Sequence, residues 1–312
     1  MRLIFLGTPE FAVPTLRAVV ASGPRVLEVI TPPDRPSGRG QELRASPVKL
    51  AAQELGLPVH QPERVKSPEV VARLAALKPD AMVVVGYGQI IPQAIIDIPP
   101  HGIINVHASL LPRYRGAAPV QWAIARGETV TGVSTMRIDA GLDTGDILLQ
   151  RRTPIGADET AIELSERLAA MGAGLLVETL EGLERGSLVP VRQDASEATY
   201  APLLKKEDGR VDWSRPAPEI HNRVRGLAPW PGCYTWLRGS LLHIWRTRVG
   251  EPLAGAPGAL RISQGRLWAV CGQGSSLELL ELQLEGRKRV AAGAFLSGQR
   301  LSENEVVGEG AS

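Results

Sequence analysis

Over the first 185 positions, short apolar runs alternate with longer amphipathic segments. The runs RLIFLG (ending at Gly7), VLEVITPP (Val26 to Pro33), DAMVVVGYG (Asp80 to Gly88) and GIINVHAS (Gly102 to Ser109) are rich in Val, Ile and Leu. Near-continuous runs of this kind suit strands buried on both faces. Between them, Ser46-Pro47 opens SPVKLAAQELG and Ser67-Pro68 opens SPEVVARLAALKP. Ser as N-cap and Pro as first helical residue predict a helix at each place. TGVSTMRID and ILLQRRTPI predict a strand pair around AGLDTGD (Ala140 to Asp146), where Gly141 and Gly145 break both periods. A long helix is predicted at TAIELSERLAAMGAGLLVETLEGLERG. The alternation argues an α/β domain with a parallel, doubly wound sheet.

The pattern then changes. SLVPVRQDASEATYAP shows no strong helical period and reads as an extended linker. One more helix is predicted at APEIHNRVRGL. After it come short strands at close spacing: CYTWLRG, LLHIWRTRVG, GALRIS, RLWAVCG and LELLELQLEG. Glycines separate most of them, which reads as a small barrel. The expected organisation is a first domain over 1–186, a linker over 187–203 and a second domain over 204–312, with the last ten residues disordered.

A chain of 312 residues exceeds one typical domain, in keeping with two. Hydrophobic residues at 44% and charged residues at 22% give an ordinary globular balance. Cys233 and Cys271 form no CxxC or metal pattern and fit a reducing compartment. The start MRLIFLGTPEF has too short an apolar run for a signal peptide, and no stretch reaches the roughly 18 apolar residues of a membrane span. A cytoplasmic protein with no membrane partner is expected. Charge is uneven: residues 1–200 carry 20 Lys and Arg against 22 Asp and Glu, whereas residues 201–300 carry 15 against 8. A basic second domain permits a nucleic-acid partner and equally fits an ordinary solvated surface.

Candidate chemistry concentrates in NVHASLLPRYRGAAP (Asn105 to Pro119). Asn105 and His107 are two apart and share one face of a strand. Ligands of open α/β sheets bind beyond the carboxyl ends of strands, where this pair falls. An Asn amide donates without ionising, and a His exchanges protons near neutral pH. The pair suits a reaction in which negative charge grows on an oxygen while a proton leaves a nitrogen, as in acyl or formyl transfer. DAGLDTGD offers Asp139, Asp143 and Asp146; Asp143 is the expected partner of His107. Acids at alternating positions are missing, so no metal is expected. With no G-x-S-x-G and no catalytic Cys context, direct transfer is expected rather than a covalent acyl-enzyme. FLGTPEF lacks the second and third glycines of a dinucleotide fingerprint, since Pro9 and Ala12 stand there, so NAD binding is not expected. PPDRPSGRGQELRAS (Pro32 to Ser46), with Arg35, Arg39 and Arg44, is either a mobile surface loop or an arm that closes on a polyanion.

Taken together, NVHASLLPRYRGAAPVQWAI, GLDTGDIL, FLGTPEFA, DRPSGRG, SPVKLAAQELGLPVHQP and VVVGYGQIIP resemble the methionyl-tRNA formyltransferases, and the similarity runs through GRVDWS and PWPG into the second domain. The resemblance implies a Rossmann-like formyltransferase domain with a mostly parallel sheet, followed by an OB-like β-barrel. It implies formyl transfer from 10-formyltetrahydrofolate to the α-amino group of methionyl initiator tRNA, for initiation of translation, by a monomer. It implies catalysis by Asn105, His107 and Asp143, folate held at Ser109, Leu110, Leu111 and Pro112, and tRNA contacts at Arg39 and Lys206. Ala108 departs from the family's usual Gly, which bears on the local backbone. Arg113 and Arg115 are left between the folate's glutamate tail, the tRNA and solvent. Two other classes stay open: a formyltransferase acting on a small amine, and a nucleic-acid-binding module without catalysis.

Overall fold

The computed structural model describes residues 1–37, 42–302 and 305–308 and divides into two compact units. The first comprises Met1–Gly116, Thr131–Thr153 and Ser165–Tyr200; the second comprises Ala117–Val130, Pro154–Leu164 and Ala201–Ser312. In chain order the first half contains β1 (Arg2–Gly7), α1 (Val13–Ala21), β2 (Arg25–Ile30), β3 (Arg35–Ser37), β4 (Glu42–Arg44), α2 (Pro47–Glu54), β5 (Val59–His60), α3 (Pro68–Leu77), β6 (Ala81–Val85), α4 (Gln93–Ile96) and β7 (Ile103–His107). Then follow α5 (Pro119–Ala125), β8 (Val130–Arg137), β9 (Ile147–Pro154) and α6 (Ala161–Glu184).

The first unit is built on a seven-stranded sheet in the order β5-β2-β1-β6-β7-β8-β9. Strands β5, β2, β1, β6 and β7 run parallel; β8 is antiparallel to β7. The central strands are unbroken apolar runs because both faces are covered: Leu3, Ile4 and Leu6 on β1 and Met82 and Val83 on β6 are fully buried. Helix α2 starts as expected, with Ser46 Oγ accepting from Lys49 N at 3.1 Å. Helix α3 also starts at its Pro, but Ser67 makes no side-chain capping bond. In the Arg-bearing segment β3 and β4 pair antiparallel, with Arg35 opposite Arg44 and Pro36 opposite Leu43. Its base is tied to α2 by Asp34, which accepts from Lys49 Nζ (2.6 Å) and Gln61 Nε2 (2.8 Å). These bonds hold the Asp34 carboxyl below the usual carboxylate range. Arg39 lies outside the described residues.

The second unit adds α7 (Ala217–Gly226), β10 (Cys233–Leu237), β11 (Ser240–Gly250), β12 (Leu260–Ser263), β13 (Arg266–Val270), β14 (Ser276–Leu284), β15 (Val290–Ala291), α8 (Ala292–Gln299) and β16 (Val307–Gly308). Its strands run in the order β12-β13-β14-β11-β10-β16, with β15 beside β14; the pairings between them are antiparallel. Residues beside the two end strands also pair: Ala259 opposes Val306, and Leu260 N donates to Glu305 O at 2.8 Å. The sheet therefore curls round on itself and leaves no long open edge. A register shift between Ile244 and Thr247 bends the long β11 into the curl. Inside lie Trp213, Ile220, Val224, Leu242, Ile244, Leu267, Leu277 and Phe295.

Contacts group residues 187–200 with the first unit, and 117–130 and 154–164 with the second. Disorder was expected over the last ten residues, but among the described ones Val307 is 1% exposed and pairs with Leu237 of β10. Helix α8 was not anticipated, because AGAFLSGQ is short and has no apolar period.

Candidate active site

Asn105 and His107 stand at the carboxyl end of β7, on one face of the strand, as their spacing requires. His107 is 6% exposed. Its Nε2 lies 2.9 Å from the carbonyl of Tyr114, which can only accept, so Nε2 carries a proton. When the ring is neutral its lone pair is therefore on Nδ1, which lies 3.7 Å from Asp143 Oδ2. The Asn105 amide is half-buried and makes no side-chain hydrogen bond among the described residues, so its donors are free for a ligand.

Asp143 reaches His107 from the turn between β8 and β9. The three aspartates of that turn have separate jobs. Asp139 Oδ1 accepts from Gly141 N (3.0 Å) and Thr144 Oγ1 (2.7 Å), which fixes the first bend. Asp146 gives its carbonyl to Arg137 N at 2.9 Å, closing the turn. Asp143 itself sits at φ 52°, a left-handed conformation, with Oδ2 accepting from Gly116 N at 2.8 Å. Gly145 is required because a Cβ there would lie 1.9 Å from the carbonyl of Arg137.

Residues 114–116 act as a hub. Tyr114, at φ 60°, gives its carbonyl to His107, and Gly116 gives its N–H to Asp143. Arg115 is 5% exposed; its Nε and one terminal nitrogen donate to Gln193 Oε1 at 3.0 and 2.8 Å. Arg115 is thus an internal support, not a solvent-facing charge. Arg113 is exposed and lies over the Tyr114 ring at 5.6 Å. The hub is itself held by residues 191–200. Tyr114 N donates to Thr199 Oγ1 (2.8 Å), Arg115 N to Thr199 O (2.9 Å), and Val191 and Ile147 exchange two backbone bonds of 2.8 Å. Sequence reasoning missed Gln193 and Thr199; a polar stretch without period carries no signal of contacts far back in the chain.

The loop from Ser109 to Pro112 lies beside this centre and is rigidly fixed. Ser109, 1% exposed, donates to Arg113 O at 2.6 Å. Ser134 of β8 donates to Ser109 O (2.6 Å) and accepts from Leu111 N (3.1 Å), while Gln150 Nε2 donates to Leu111 O (2.9 Å). Leu111 is buried with Met136 and Ile147, and the peptide bond before Pro112 is cis. Leu110 and Pro112 remain half-buried and offer apolar surface. Ala108 is 7% exposed and stands in a bend just past the strand, where Ser109 N donates to His107 O at 2.9 Å. Lys206 lies in the second unit, exposed, at the start of a single 3-10 turn over Lys206–Gly209. Among the described residues no group of three or more His, Cys, Asp or Glu is placed to hold a metal. Nor is any described helix long and apolar enough to cross a membrane.

Comparison with known proteins gives the family and the fold. Residues 1–180 match the family model described as formyl transferase, and residues 203–300 match the formyl transferase C-terminal domain. The methionyl-tRNA formyltransferase of Solibacter usitatus is 64% identical over 99% of both chains. That of Citrifermentans bemidjiense is 53% identical over 99% of this chain and 97% of its own. Among solved structures, an N-formyltransferase from Helicobacter canadensis in complex with folinic acid and dTDP-3-aminofucose superposes with a TM-score of 0.66. It has 17% identity over 89% of this chain and 98% of its own. HypX from Aquifex aeolicus in complex with tetrahydrofolic acid gives a TM-score of 0.62 at 19% identity, over 95% of this chain and 47% of its own. At those identities the solved structures share the fold, a mostly parallel α/β sheet followed by an antiparallel curled domain. The full-length relatives add the family: the chain belongs to the methionyl-tRNA formyltransferases.

Proposed function

We propose that Asn105, His107 and Asp143 carry out the formyl transfer, and that the hub at 114–116 holds them ready for it. The reaction moves a formyl group from 10-formyltetrahydrofolate to the α-amino group of methionyl initiator tRNA, for initiation of translation. The observation that carries the assignment of residues is the free amide of Asn105 beside an imidazole whose Nε2–H is committed to Tyr114. As the amine nitrogen bonds to the formyl carbon, the formyl oxygen gains negative charge, and Asn105 donates to it. The attacking nitrogen must shed a proton, and Nδ1 of His107 takes it, directly or through one water. Asp143 then lies beside an imidazolium and stabilises it. The carbon–nitrogen bond to the folate breaks and that nitrogen takes up a proton.

The folate co-substrate fits the loop from Ser109 to Pro112, where Leu110 and Pro112 supply apolar wall and the bonds around Ser134 keep the loop in place. For tRNA we assign contacts to Arg39 and Lys206, supported by the basic balance of residues 201–300 and the exposure of Lys206. The first unit, with residues 1–186 as its catalytic body, carries the chemistry, and residues 204–312 carry general tRNA affinity. A cytoplasmic setting follows, since charged tRNA is made and used there.

The direct test is formylation of charged initiator tRNA beside charged elongator tRNA and small amines, with labelled 10-formyltetrahydrofolate. Only initiator tRNA should be formylated efficiently; transfer to a small amine at a comparable rate would overturn the acceptor. In the same assay Asn105→Ala should cut kcat by about 10²–10³ while folate binding changes little. Near-normal turnover would remove Asn105 from its role.

A further inference from the structure

Gln193 occupies a stretch, 181–202, that neither family model covers. It is 8% exposed and uses both ends of its amide. The carbonyl accepts two bonds from the buried Arg115 guanidinium. The NH2 group donates to Asp143 O at 2.9 Å and to Gly145 O at 2.7 Å. It thus grips the turn at the residue held in a left-handed conformation and at the glycine that follows by two. Among the described residues no carboxylate lies within salt-bridge distance of Arg115, so the cation acts on the neutral amide. A charge-assisted bond at the carbonyl end polarises the amide and strengthens its donation at the other end.

We propose that Gln193 is a positioning residue for formyl transfer: it transmits the hold of Arg115 to the 143–145 turn and so fixes the Asp143 carboxylate against His107. This rests on the reading of Asp143 and His107 given above. The alternative role for Gln193 is simple packing of a buried polar side chain, and the two differ in what a substitution disturbs. If Gln193 positions the turn, its loss acts through Asp143. A displacement of the order of 1 Å at a reacting group costs up to about 10²-fold in rate.

Gln193→Glu keeps the volume and keeps an acceptor for Arg115, but turns an oxygen toward the carbonyls of Asp143 and Gly145. Gln193→Leu removes both bonds. Both are measured in the full chain with charged initiator tRNA and 10-formyltetrahydrofolate, alone and combined with Asp143→Asn. Gln193→Glu should stay folded at a lowered urea midpoint, because two carbonyls lose their donor, lower kcat by about 10-fold to 10²-fold, leave KM for folate within about twofold, and change the pH profile of kcat. Added to Asp143→Asn, it should lower kcat little further, because both act on the same carboxylate. A wild-type kcat and pH profile in folded Gln193→Glu, with Asp143→Asn crippled, would overturn the positioning role alone. So would full additivity of the two losses. Full activity of Asp143→Asn itself would instead remove the catalytic reading on which the proposal stands. If Gln193→Leu does not fold, the Glu variant decides the question.

Discussion

Asp143 shows how much one residue is asked to satisfy. Its backbone is left-handed, its carboxylate accepts from Gly116, and the same oxygen faces Nδ1 of His107. An Asn in its place keeps the size and still accepts from Gly116, but cannot stabilise a protonated imidazole. Asp143→Asn should therefore lower kcat by about 10²–10⁴, the usual range of acid–base assistance, at an unchanged urea midpoint. A folded variant with normal kcat would leave His107 without a charged partner to explain. The sequence made Asn105 and His107 legible because their relation is local: two residues on one strand. Asp143 was legible because two glycines mark its turn. Gln193 was not, because its partners are 48, 50 and 78 residues away. Nothing in a local pattern encodes such distances.

At the scale of elements, the helices and strands were mostly legible and their fastenings were not. Ser46 and Ser67 look alike in sequence, yet only Ser46 caps its helix through the side chain. Helix α7 shows a further fastening. His221 Nδ1 lies 3.0 Å from Thr247 Oγ1, and Nε2 lies 3.3 Å from the carbonyl of Ala157. The neutral ring, with its proton on Nε2, satisfies both partners, and burial pushes the His221 pKa down. Arg225 adds to that lowering, while Ala157 and Asp158 oppose it. An unfolded chain takes up this proton near the ordinary histidine value of about 6.5. The stability due to neutral His221 is thus complete above that value and is lost as pH falls toward and through the lowered folded value. The urea midpoint should fall between pH 7.5 and 5.5. His221→Gln, whose amide can still donate to Ala157, should show a shallower fall. An identical pH slope in the two proteins would show that the ring's burial costs nothing on protonation.

For the molecule as a whole, the contrast between residues 1–200 and the basic residues 201–300 predicts that tRNA and folate binding respond differently to salt. Each Lys or Arg on a phosphate releases counterions, so tRNA affinity should fall steeply with salt while folate affinity moves little. Lys206→Ala should weaken tRNA binding and reduce the logarithmic salt slope by about one, with KM for folate unchanged. A slope equal to wild type would place Lys206 off the RNA. What could not be read at this scale was the interleaving of the units. Segments 117–130 and 154–164 join the second unit through contacts with chain that comes much later. The support lent by residues 191–200 has the same character, and it bears on synthesis. A growing chain that has just emerged to residue 186 already contains Asn105, His107, Asp143 and all seven strands of the first sheet. It still lacks Gln193 and Thr199, so the Arg115 guanidinium has no amide to hold and the Tyr114 N–H no threonine hydroxyl to donate to. On the ribosome, the fastening of the 143–145 turn is therefore completed only after the sheet that carries it.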